Sequence, residues 1–214
     1  MRRFSTLSVL LFGGLFLAAC GGGEQESADM ASSSQDMAAS ASSDALSCYI
    51  ANATMAEAQE RPSPLQSVEL SVGGNDALLC YGAPSARGRV VMGELVPFGE
   101  PWRLGANEAT AIHLSGPATL GGVALEPGSY SLYAVPGEAE WQFFINTNAE
   151  RWGIPIDASV RSSEVGSFTV EPATTDGMVE TLTFHFEPNA EGTMGDIVME
   201  WENTQATFHL HPAM

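Results

Sequence analysis

The chain has 214 residues, 44% of them hydrophobic, which supplies the core of one ordinary domain with extra segments and sets a single globular unit as the expectation. Its 26 acidic residues against 8 basic ones give a formal net charge of -18, a field that repels phosphate backbones and anionic headgroups and so argues against nucleic acid or polybasic membrane docking. Lysine is absent, which fits either a solvated acidic shell or a genome that writes Arg for Lys.

Residues 1–19 read as a lipoprotein signal peptide. Arg2 and Arg3 form the positive end, residues 7–17 an apolar run too short to span a bilayer, and Leu17-Ala18-Ala19-Cys20 a cleavage box ending in the cysteine to be acylated. An ordinary secretory cleavage near the same point would change anchorage but not compartment. Gly21 stands where an aspartate would signal inner-membrane retention, so the lipoprotein sorting pattern implies an outer-membrane anchor in a cell with two membranes. Residues 20–60 form a mostly disordered acidic tether, rich in Ser, Ala and Gly, with little to bury. Its first ~25 residues reach on the order of 25–30 Å. A short helix is the expectation over residues 46–59.

From residue 61 to 214 the apolar period becomes two. Val68, Leu70 and Val72 alternate with polar neighbours, Gly73-Gly74-Asn75-Asp76 offers a hairpin turn, and residues 77–81 return. Thr110, Ile112 and Leu114 share a face, and residues 130–135 form a further run. Trp141, Phe143 and Ile145 share another face. After an irregular section around Trp152 come residues 168–170, then Leu182, Phe184 and Phe186. Ile197, Met199 and Trp201, then Ala206, Phe208 and Leu210, complete the inward set. About nine or ten short strands and no long helix predict an all-β antiparallel sandwich, or a barrel-like relative of one.

With Cys20 given to lipid, Cys48 and Cys80 remain as a pair in an oxidising compartment, either bridged or left as a buried Cys80 and a loose Cys48. No Gly-x-Ser-x-Gly elbow occurs, and no cofactor is implied. His185, His209 and His211 fall opposite the inward residues. His209 and His211 share a face, but His185 stands about 10 Å away across a meander, too far for one zinc. His113 points away from Ile112, as bystander or pocket wall. The methionines read as core filler.

Half of the arginines beyond the leader fall in residues 87–103. Arg87-Gly88-Arg89 enters an apparent strand at Val90-Val91-Met92, residues 95–99 form a turn with an apolar wedge, and Trp102 stands beside Arg103. Asn107 offers donors and acceptors. Glu108 begins the next strand and needs a cation, for which Arg103 and Arg89 are the expected partners. The run Gly-Glu-Leu-Val-Pro-Phe-Gly-Glu-Pro-Trp-Arg-Leu-Gly-Ala-Asn-Glu-Ala-Thr ending at Thr110, with Glu140-Trp-Gln-Phe-Phe-Ile-Asn and Thr181-Leu-Thr-Phe-His-Phe-Glu, resembles the bacterial exported family catalogued as domain of unknown function 2911. That resemblance implies an exported or lipid-anchored β-rich protein with no assigned activity. Ala83 departs from it where a basic residue is expected, and the cysteine pair is a local addition.

Three readings of this stretch remain open. An ion-pair network would pin a long connection to the sandwich. A pocket floored by Trp102, with Arg87, Arg89, Arg103, Asn107 and Glu108 around it, would take a sugar or small carboxylate. A glycosidase-like hydrolase would use Glu94 and Glu108 as acid and base, about 5–9.5 Å apart. The membrane is expected as a partner through the lipid alone.

Overall fold

Strand alternation needs a surface to bury against, and here two sheets supply it for each other. A computed structural model describes residues 46–213. Ten strands, β1 Leu65–Val72, β2 Asn75–Gly82, β3 Thr110–Leu114, β4 Ala118–Leu120, β5 Val123–Leu125, β6 Gly128–Val135, β7 Trp141–Asn146, β8 Glu164–Val170, β9 Ala173–Pro188 and β10 Gly195–Pro212, form two antiparallel sheets. One has six strands in the order β1-β2-β3-β6-β7-β8, the other four in the order β5-β4-β10-β9. Neither closes on itself, so the architecture is an open sandwich. Leu79, Ile112, Leu132, Phe143 and Ile145 of the first sheet meet Leu120, Leu182, Ile197, Met199, Trp201 and Phe208 of the second in one core. Fully burying each such side chain contributes about 1.5–3 kcal/mol.

The β1–β2 turn forms at Gly73 and Gly74, both at positive φ, as the sequence spacing requires. β10 doubles back at Glu202 (φ 56). A straight strand would separate Asp196 from His209 by roughly 43 Å, yet their side chains meet, and Gln205 reaches Glu200 at 3.0 Å. The two last apolar runs of the sequence are therefore the two legs of one bent element.

Four local expectations change. Residues 90–92 are not a strand: Arg87, Gly88 and Gly93 take positive φ and curl the chain, burying Val91 while exposing Val90. The Val91 and Met92 N–H groups donate to Glu202 Oε2 at 3.2 and 3.4 Å instead of to a neighbouring strand. The expected helix contracts to α1, Met55–Gln59, begun by a Thr54–Glu57 capping box. A second short helix, α2, spans Ala158–Arg161 behind the N-cap Asp157. Residues 46–60, assigned by composition to the tether, pack on the sandwich: Cys48 is bonded to Cys80 with Cα atoms 5.7 Å apart. Met199 is core, but Met55, Met178 and Met194 are exposed. The signal sequence, Cys20 and the tether up to residue 45 lie outside the described residues.

Candidate functional site

The connection from β2 to β3 wraps one end of the sandwich and is held there by backbone contact. Ala106 N–H donates to the Gly82 carbonyl at 3.1 Å, and a Cβ at Gly82 would stand 2.2 Å from Ala106 O, so only glycine permits the crossing. Earlier in the connection, Trp102 exchanges both backbone hydrogen bonds with Ala134 of β6, at 2.7 and 2.9 Å. Its indole stacks on Trp201, with centroids 5.9 Å apart, and meets Trp141 edge-on at 6.0 Å. A half-buried aromatic is thus fixed by backbone and by two rings.

A cleft of about 320 Å³ opens over this pair, bordered by Arg89, Arg103, Leu95, Ile154 and Trp201 besides Trp102. Arg103 Nε–H donates to Gly105 O at 3.2 Å. Burial pulls the Arg103 pKa below its ordinary value, and the nearby Glu108 charge opposes the shift. Arg89 is held by Nε–H to Ala86 O and Nη2–H to Ser85 O, both at 2.8 Å. Among the described residues, neither guanidinium has an acidic partner within salt-bridge distance. Arg87 and Arg151 share that lack, so what sets Arg89 and Arg103 apart is that both border this cleft.

Glu108 goes to a different cation from the two expected. Its carboxylate, 5% exposed, takes Arg61 Nη1 at 2.9 and 2.8 Å on its two oxygens, and the Ala51 N–H at 2.9 Å. Arg61 also reaches Ala51 O at 3.4 Å and lies 5.9 Å from the Trp152 ring centroid. This ion pair clamps the segment before β1 onto the connection. Asn107, at φ 64, donates Nδ2–H to Ser63 O at 2.8 Å and props the cleft wall without lining the cleft. Arg87 lies outside it, its N–H on Glu180 Oε1 at 2.8 Å and its Nη2 on Pro62 O at 3.2 Å. Glu94 is exposed and makes no side-chain hydrogen bond or ion pair among the described residues.

Of the six residues the sequence grouped, the fold brings Arg89, Trp102 and Arg103 to one cleft and sends Arg87, Asn107 and Glu108 elsewhere. A family model described as a protein of unknown function, DUF2911, matches residues 63–210. The chain belongs to the DUF2911 family. No curated protein and no solved structure matches it. The DUF2911 match takes in the whole Trp102 cleft, whereas Arg61 and Cys48 lie on its N-terminal side.

Sequence reasoning missed Arg61, Trp201 and Gly153 in this DUF2911 domain. The scarcity of arginine was a signal for Arg61. Gly153 is required because a Cβ there would stand 2.3 Å from Arg103 Cδ and 2.9 Å from Asn107 O. Of the two readings of His113 the structure gives the pocket wall: it is buried, and it lines a cavity with residues 46–50, which Cys48–Cys80 holds over the outer face of β2 and β3. His113 Nδ1 lies 2.8 Å from Ser129 Oγ, while its Nε2 is buried without a partner among the described residues. Burial lowers its pKa, against the pull of Glu150. His185 lies beside Glu187 and Glu200, His209 beside Asp196. No group of three or more His, Cys, Asp or Glu among the described residues is placed to hold a metal ion.

Proposed function

We propose that this DUF2911 chain is a lipid-anchored module of the cell envelope that works by binding a small polar ligand in the Trp102 cleft, without chemistry of its own. The anchoring half of the proposal rests on Arg2, Arg3, the apolar run and the Leu17-Ala18-Ala19-Cys20 box, with the diacylglyceryl group on Cys20 and the domain facing the periplasm or the surface. The binding half rests on one observation above the others. Arg89 and Arg103 stand at the border of a cleft walled by a stacked indole pair, and among the described residues no carboxylate lies within salt-bridge distance of either. Preformed concave sites with apolar walls and a few fixed polar groups are where small molecules bind.

An ion-pair network accounts for Glu108 and Arg61 but does not extend to Arg89 and Arg103, which have no acidic partner among the described residues. A glycosidase-like reaction through Glu94 and Glu108 has less support, because Arg61 engages both Glu108 oxygens and so takes one of the two carboxylates out of acid-base work. Binding predicts that small polar compounds raise the melting temperature of the intact chain and that Trp102→Ala abolishes the rise. A compound that raises it equally in both proteins would move the site elsewhere. For the anchor, Cys20→Ser is expected to release the protein from the membrane fraction; retention of that variant would contradict lipidation at Cys20.

A further inference from the structure

We infer that the ligand of the Trp102 cleft is a carboxylate carried on a small planar apolar ring. The inference rests on the binding role proposed above and narrows its chemistry. Charge is the first ground. Side chains bordering the cleft include two arginines and no aspartate or glutamate, in a chain of net charge -18. A sugar needs side-chain acceptors for its hydroxyl hydrogens, and the Ser63 hydroxyl is the one side-chain acceptor on this lining.

The state of Arg103 is the second ground. Only its Nε–H has a hydrogen-bond partner among the described residues, Gly105 O. A guanidinium partly withdrawn from water, with its remaining donors free, gains more from an anion than a fully solvated one does. Its planar fork matches the two oxygens of one carboxylate, whereas a phosphate dianion asks for more positive charge at close range. The walls are the third ground. Trp102, half-buried and backed by the buried Trp201, gives the cleft its aromatic wall, and Leu95 and Ile154, 40% and 55% exposed, stand where a bound ring would cover them. At about 320 Å³ the cleft sits at the small end of the ligand-pocket range, room for a ring and its acid group and not for an extended chain.

Titration of the intact chain, followed by tryptophan fluorescence and thermal shift, tests this with benzoate, benzamide, phenyl phosphate and methyl glucoside. Benzoate is expected to saturate and benzamide to bind about tenfold or more weakly, since it lacks the charge. Arg103→Gln is expected to remove the preference for benzoate, and added salt to narrow it. Equal affinity for benzoate and benzamide overturns the inference. Tighter binding of phenyl phosphate overturns the carboxylate and leaves an anion site. Methyl glucoside binding that Trp102→Ala abolishes, without benzoate binding, overturns the anion and leaves the binding role intact. Silence from all four probes overturns both. Arg103→Gln decides the charge question should Trp102→Ala fail to fold.

Discussion

Arg103 lies in the connection between β2 and β3 and Arg61 reaches it from the segment before β1, and the fold treats their charges in opposite ways. Arg61 meets the buried carboxylate of Glu108 head-on, and the backbone of Ala51 joins the pair. Arg103 is drawn partly out of water, gives one hydrogen bond to Gly105 O, and faces a cleft without acidic side chains. Pairing makes the first a brace, since a buried charge deprived of its partner is costly. Lack of pairing makes the second available. On the proposed reading, what neutralises a cation, and not its position along the chain, separates a brace from a group left to bind.

The most severe way to break this contrast is Arg61→Ala, which leaves Glu108 buried and uncompensated. We expect a loss of about 3–5 kcal/mol in urea unfolding. A loss below about 1 kcal/mol would mean that the brace is no stronger than an exposed pair. Cys48→Ser with Cys80→Ser, which opens a 32-residue separation, is expected to cost about 2–4 kcal/mol and so to rank the covalent tie near the ionic one. Gly153→Ala places a methyl carbon against Arg103 Cδ and the Asn107 carbonyl. About 1–3 kcal/mol of overpacking is expected, together with a weakened ligand response, which joins the cleft to its support.

Protonation gives a gentler probe of the segment that the brace and the disulfide hold down. Burial depresses the His113 pKa below 6.5 in the folded chain, so the unfolded chain binds the proton first as pH falls. Stability present above about pH 6.5 is then lost on acidification, with a slope of at most ~1.4 kcal/mol per pH unit from this group. His113→Gln is expected to flatten that part of the profile relative to wild type. An unchanged slope would show that His113 does not carry it. Smallest of all, Arg89→Gln removes an exposed side chain that caps Ser85 and Ala86 carbonyls, and about 0.5–1.5 kcal/mol is expected.

The sandwich was legible in the sequence because the period of two is fixed by the backbone itself, and Trp141, Phe143 and Ile145 had one face on which to be buried together. That Trp102 and Arg103 would border one surface was legible for a similar reason, since neighbours in sequence stay neighbours in space. Glu108 was misassigned because its partner stands 47 residues upstream, and no local pattern carries that distance. His113 was read as outward-facing, which its strand parity supports, but residues 46–50 cover that face once Cys48 joins Cys80. Val90-Val91-Met92 has strand composition, and positive φ at Arg87, Gly88 and Gly93 overrides it.

Melting temperatures of Arg61→Gln and Arg103→Gln, each measured on the intact chain without added ligand, test the contrast most directly. The account predicts that Arg61→Gln melts roughly 5–15 °C below wild type and that Arg103→Gln melts within about 2 °C of it. An equal fall in both, or a larger one for Arg103→Gln, would make Arg103 a second brace and leave the cleft without its free cation.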